Sequence, residues 1–433
     1  MKKLYLTEEN KKNVLDELIK RSPNHYGEFE AKVAEIVNNV RENGDAAIFE
    51  YTKNFDKFDL NKDNILVTKE EINEAYNSMD PIYIKVMEEA YANIVKFHEK
   101  QVRNSFFTTD ENGSILGQRI TPIEKVGVYV PGGKAAYPSS TLMNIGPAKC
   151  AGCKNIYMIT PPNSEGKVNP GTLAAAKIAG VDTIYKVGGA QAIAAFAFGT
   201  ESVPKVDKIV GPGNIFVALA KKAVYGYVSI DSVAGPSEIL VLADETAKPE
   251  YVARDLLSQA EHDEMASCIL VTTSEELANK VESLVEKYVA VAKRKSILEK
   301  SVENFGFILI AKDMDSAFDA VNDIASEHLE IVTKNPWADM TKVRNAGAIF
   351  LGEYSSEPLG DYFAGPNHVL PTNGTSRFFS PLSVDDFIKK SSVICYSEEG
   401  LRQIHEKIEI FAENEGLEAH ANSIRERFGK NTL

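Results

Sequence analysis

Apolar residues recur at helical spacing near the start of the chain, at Phe29, Val33, Ile36, Val37 and Val40 and again at Ile82, Val86, Ala90, Ala92 and Val95, which predicts that the early part is mostly helix. Alternation takes over from Ser105 to Ile120 around Asn112-Gly113, the signature of a hairpin with a two-residue turn. Beyond Lys125 the texture changes again. Short apolar runs at 126–130, 155–160, 183–187 and 208–210 alternate with small-residue helical segments at 139–151, 171–179, 190–198 and 214–225. A second series of apolar runs follows at 239–243, 268–273, 307–311, 329–332 and 348–351, with helices between them. Strand then helix, repeated, predicts parallel sheets covered by helices, so two α/β blocks follow one another and the helical start packs on one of them. After Pro381 the chain reads as helical and charged, as at 398–408 and 413–428.

Composition narrows the picture by exclusion. At 433 residues the chain is too long for one ordinary domain, and its 44% hydrophobic and 25% charged shares are those of a globular protein. A net charge of −14 with no dense Lys/Arg stretch argues against nucleic acid as partner. No apolar run approaches membrane-spanning length, and the start Met1-Lys2-Lys3-Leu4 lacks the apolar core of a secretion signal, so a cytoplasmic location is expected. Four cysteines give no disulfide framework. Cys150 and Cys153 have redox-motif spacing, yet small buried thiols are common, and no cysteine is expected to be catalytic.

Three strands of the first block run into glycine, at Pro131-Gly132-Gly133, Gly188-Gly189 and Gly211-Pro212-Gly213. Open α/β sheets bind ligands at such strand ends, where helix N-termini favour phosphate; tight turns that bind nothing would look the same. The dinucleotide fingerprint Gly-x-Gly-x-x-Gly is absent. Among the seven histidines, His262 stands three residues beyond Gln259, a polar amide that interrupts the stripe Val252, Leu256, Gln259, so both side chains can converge on one point. Ser326-Glu327-His328-Leu329 closes a helix just before a strand, and places there a carboxylate and an imidazole suited to general-base work. Asp361 and His368 lie in a long segment, 352–381, that reads as irregular but is rich in aromatic residues and glycine. His, Asp and Gln make an N/O donor set compatible with zinc or a neighbouring first-row ion, without diagnostic spacing. From the residues alone, a non-catalytic amino-acid-binding protein and a zinc hydrolase using Glu327 as base remain open.

The segments 126–133, 210–214, 231–238, 257–262, 326–329 and 365–371, continued to Glu418-Ala419-His420, resemble histidinol dehydrogenase over nearly the whole chain. The resemblance implies an α/β fold of two Rossmann-like doubly wound domains lacking the fingerprint, plus small helical N- and C-terminal elements. It implies one α/β domain from 24–125 with 238–381, a second NAD-binding domain at 126–237, and terminal elements at 1–23 and 382–433 that make dimer contacts. The activity implied is oxidation of L-histidinol to L-histidine through L-histidinal with two NAD+, by a homodimer with shared active sites. Zinc would be held by Gln259, His262, Asp361 and His420, the last crossing from the partner subunit. Glu327 and His328 would be catalytic, and Ser237, Glu327, His328, His368 and Glu415 would contact substrate, as would the metal-holding residues. Tyr129, Gln191 and Asn214 would contact NAD.

Overall fold

The computed structural model describes residues 1–21, 27–132, 137–181 and 183–429, the side chain of Glu28 excepted; Gly133 of the first glycine turn lies outside them. The chain opens with β1 (Lys2–Tyr5) and four helices, α1 (Glu8–Ile19), α2 (Gly27–Phe55), α3 (Lys69–Ser78) and α4 (Pro81–His98). The hairpin β2 (Phe106–Thr109) and β3 (Ile115–Pro122) follows. Next come β4 (Lys125–Tyr129), α5 (Pro138–Cys150), β5 (Asn155–Thr160), α6 (Pro170–Ala179), β6 (Thr183–Lys186), α7 (Gly189–Phe198), β7 (Lys208–Val210), α8 (Ile215–Val224) and β8 (Ser229–Ile230). The second series is β9 (Glu238–Ala243), α9 (Pro249–Ala260), β10 (Ser267–Thr272), α10 (Glu275–Ala290), α11 (Lys295–Phe305), β11 (Gly306–Ile310), α12 (Met314–Ile324), β12 (His328–Val332), α13 (Pro336–Met340), β13 (Ala348–Leu351) and α14 (Glu357–Tyr362). β14 (Ile388–Cys395), α15 (Glu398–Asn414) and α16 (Glu418–Glu426) end it.

Two compact units emerge, one of residues 1–102 and 123–387, the other of 103–122 and 388–433. The first holds two parallel sheets, ordered β6-β5-β4-β7-β8 and β1-β11-β10-β9-β12-β13. Both sheets are covered on two faces, which is why their strands read as unbroken apolar runs. On β9, Ile239 and Val241 enter one core while Leu240 and Leu242 enter the other. On β4, Val126 and Val128 face one core and Tyr129 the opposite one.

Helices α2, α3 and α4, expected to go with 238–381, pack on the five-stranded layer: α2 on α7 and α8, α3 on α6, α4 on α5. Val33, Ile36, Val37 and Val40 bury there as their spacing predicts. The later stripe is rotated: α4 buries Ile84, Met87, Ala90 and Ile94, and leaves Ile82 and Val86 exposed. The segment 1–23 is not purely helical, since β1 pairs in parallel with β11 at the sheet edge. α2 breaks at Gly44 (φ 52°), where a Cβ would come within 2.5 Å of the Glu201 carboxylate.

The second unit is a three-stranded antiparallel sheet, β14-β3-β2, with the helical pair α15 and α16. β14 replaces the helix expected after Pro381; its eight residues pair along their whole length with β3. The hairpin turn is longer than two residues: Thr109 lies opposite Ile115, and the Asp110 carboxylate accepts the N–H groups of Asn112 and Ser114 at 2.9 and 2.8 Å.

Candidate active site

β9 and β12 are neighbours, with His328 opposite Ile239. α12 ends in a left-handed Ala325, so Glu327 and His328 lie beyond the helix and His328 is the first residue of its strand. That register puts the His328 ring against the Glu238 backbone: Nδ1 donates to the Glu238 carbonyl at 3.0 Å, which fixes the ring and leaves Nε2 as the nitrogen that exchanges its proton. Nε2 is buried, has no hydrogen-bond partner among the described residues, and lies 3.6 Å from Asp361 Oδ1. Glu327 Oε2 accepts the Glu238 N–H at 2.8 Å and stands 3.6 Å from His328 Nδ1. The backbone of one residue of β9, Glu238, thus positions both side chains.

The segment read as irregular contains α14, a short helix started by Pro358 at its first turn. Glu357 and Asp361, four residues apart, point the same way from it. Glu357 was not anticipated. Its N–H donates to Glu330 Oε1 at 2.8 Å, and its Oε2 accepts the Ser258 hydroxyl from α9 at 2.8 Å. His262, just past the end of α9, completes a trio: His262, Glu357 and Asp361 each offer a donor atom within 4.8 Å of the others. Gln259, in the last turn of α9, is buried, and its Oε1 has no hydrogen-bond partner. His368 lies close by, its Nδ1 donating to the Asp361 carbonyl at 2.9 Å and its Nε2 3.4 Å from Ser140 Oγ. A cavity of about 360 Å³ opens over His262 and Asp361, walled by Tyr137, Ser139 and Met143.

The electrostatics are those of crowded carboxylates. Burial pushes Glu327 up to about 8, and burial with the neighbouring Asp361 pushes Glu357 up to about 8 as well. Burial alone would lower His328, but Glu327 and Asp361 outweigh it and hold the imidazole up to about 10. Asp361 is itself buried, yet the His328 ring keeps it well below the usual carboxylate range. Burial lowers His262, so its ring is neutral and able to ligate. A dication suits such a site: it would replace the His328 proton as counter-charge to Asp361 and satisfy the orphaned Gln259 oxygen.

Ser237 lies in the turn before β9, where its carbonyl accepts the Ser267 N–H at 3.0 Å. Glu415 and His420 belong to the second unit and are exposed there, Glu415 closing α15 and His420 on α16.

A second cavity, of about 840 Å³, lies at the carboxyl ends of the five-stranded sheet and is lined by Tyr129, Gly132, Gly189, Gln191 and Asn214. Asn214 caps α8, its Oδ1 accepting from Phe216 and Val217 at 3.1 and 3.2 Å, so its amide N–H groups remain for a ligand. Tyr129 Oη accepts the Gly189 N–H at 3.2 Å, and Gln191 Oε1 is buried without a partner. Gly211 (φ 119°) admits no side chain, because a Cβ would run into the Tyr129 carbonyl. The thiols do not belong to either cavity. Burial pushes Cys153 up to about 11 and Cys268 up to about 12, the opposite of what a nucleophile requires.

The family model for histidinol dehydrogenase matches residues 19–428. Histidinol dehydrogenase of Clostridium acetobutylicum is 56% identical over 393 residues, 91% of this chain and 91% of the relative. That of Geobacillus kaustophilus is 56% identical over 398 residues, 92% and 93% of the two chains. The crystal structure of histidinol dehydrogenase from Elizabethkingia anophelis is 38% identical, covers 99% of this chain and 98% of its own, and gives a TM-score of 0.93. Fold, length and sequence therefore agree, and the chain belongs to the histidinol dehydrogenase family.

Proposed function

We propose that this chain oxidises L-histidinol to L-histidine through L-histidinal, consuming two NAD+ and one water, as a cytoplasmic homodimer. Zinc would be held by Gln259, His262, Asp361 and His420 of the partner subunit. The observation that carries the reading is the buried Glu327–His328 pair, with His328 Nε2 in no hydrogen bond among the described residues and 3.6 Å from Asp361 Oδ1. Zinc, when bound, would orient the substrate and offset carboxylate charge. NAD+, when bound at Tyr129, Gln191 and Asn214, would accept the hydride from the substrate carbon.

His328 takes the proton from the alcohol oxygen as the carbon is oxidised to the aldehyde. Its Nδ1 bond to the Glu238 carbonyl fixes the ring so that Nε2 is the accepting atom. Glu327 removes a proton from water as the water oxygen adds to the aldehyde carbon, and a hydrate forms. His328 then takes the hydrate's hydroxyl proton as the second oxidation yields the carboxylate. Ser237, His368 and Glu415 hold the substrate. Each proton-transfer role is worth about 10²–10⁴-fold.

The test separates the two oxidations. Glu327→Gln should slow conversion of histidinal by about 10²–10⁴-fold while sparing oxidation of histidinol to histidinal, and His328→Asn should damage both. NADH formation from each substrate is the readout. Equal losses in both steps for Glu327→Gln would reject the division of labour. No NADH from zinc-loaded wild-type protein would reject the reading as a whole.

A further inference from the structure

We propose that Asp56 binds the ribose diol of the dinucleotide's adenosine half and selects NAD+ over its 2′-phosphorylated counterpart; this rests on the dinucleotide reading above. Asp56 follows directly on α2, an element outside the sheet, and lines the 840 Å³ cavity together with Tyr129, Gln191 and Asn214. Its Oδ2 is buried and, among the described residues, accepts no hydrogen bond. The flanking lysines are turned away: Lys53 reaches Asp59 at 3.0 Å and Lys57 the Asn54 carbonyl at 2.7 Å. Burial pushes the carboxyl up to about 6, so near neutral pH it is still largely an anion, with one oxygen shielded from water. An ionised acceptor in that position is costly unless a ligand brings donors to it.

A ribose offers two adjacent hydroxyls, which match the two oxygens of a carboxylate. The half of the dinucleotide in question follows from the two cavities. The reacting nicotinamide has to meet His328 and Asp361, and neither lines the cavity of Asp56; Asp361 opens into the smaller one. The nicotinamide end must therefore extend out of the larger cavity, leaving the adenosine half within it. In fingerprint-bearing Rossmann domains an acidic residue a short way beyond the glycine turn performs this recognition. Here β5 runs into Pro161, Pro162 and Asn163, none acidic, and the carboxylate comes instead from the end of α2. A 2′-phosphate would set two like charges together in one cleft. Lys167 also lines the cavity, and its ammonium suits the pyrophosphate bridge.

The zinc-loaded full-length protein and its Asp56→Asn and Asp56→Ala variants are titrated calorimetrically with NAD+ and with NADP+, and kcat and KM are measured for each. Wild type should prefer NAD+. Both variants should bind NAD+ about 10- to 100-fold more weakly, with the loss carried by KM, while NADP+ is weakened less or improves, so the preference collapses. Asparagine is nearly isosteric, so the test survives if the alanine variant fails to fold. Equal wild-type affinity for both dinucleotides, or equal losses for both in the variants, or no loss for either, would overturn the proposal. A wild-type protein that binds no dinucleotide would overturn the underlying reading as well.

Discussion

Glu357 and Asp361 stand a turn apart on α14, and two carboxylates that close need a proton or a cation between them. Glu357→Ala should therefore lower zinc affinity by about 10–100-fold, measured by chelator competition; an unaltered affinity would place Glu357 outside the metal's surroundings. The same crowding predicts a pH dependence. In the metal-free chain Glu327 keeps its proton from its ordinary 4.5 up to about 8, and His328 keeps its own from 6.5 up to about 10. Unfolding then releases protons across that window, so metal-free stability falls as pH rises. Melting temperatures taken from about pH 6 to pH 9 should drop more steeply in chelator than with zinc, and parallel curves would contradict this. At this scale the sequence was partly readable. Gln259 betrayed itself as an amide on a buried stripe, and Glu327-His328 as an acid-base pair at a strand mouth. Glu357 was hidden because Pro358 and Gly360 disguise α14 as loop, and Asp56 because an acid between Lys53 and Lys57 reads as solvated surface.

Among the elements, β9 carries the alignment of both catalytic candidates through the single residue Glu238, whose own side chain is buried. Arg21, just past α1, meets that carboxylate at 2.5 Å, and both are nearly inaccessible. Burial raises the Glu238 pKa and the Arg21 charge opposes it. Arg21→Ala would strand a buried carboxyl group beside Glu327, at a cost of about 3–5 kcal/mol, visible as a lowered denaturation midpoint. A midpoint shifted by less than about 1 kcal/mol would mean that water reaches Glu238. The strands of both parallel sheets were legible because double-sided burial leaves continuous apolar runs. β14 was not, since Lys389, Lys390, Ser391 and Ser392 are exposed and the strand shows in its cross-strand pairing with β3 rather than in an apolar run. β1 escaped notice for a related reason: it is a four-residue edge strand that begins with two lysines.

At the scale of the whole molecule, the second unit exposes the large apolar side chains of Phe106, Phe107, Ile394, Ile410 and Phe411. A second copy of the chain is the proposed cover, with His420 carried across to complete the metal site. His420→Asn and His262→Asn proteins, each inactive alone, should recover about a quarter of wild-type activity when refolded together in equal amounts, since half the dimers are mixed and each has one intact site. No recovery would mean that His420 serves its own chain or none. The structure also ties the far amino end to the reaction centre, through β1 on the edge of β11 and Arg21 on Glu238. Proteolytic nicking near Arg21 would thus silence the enzyme without severing any residue of the pocket, and would bare the edge of β11 to sticky intermolecular pairing.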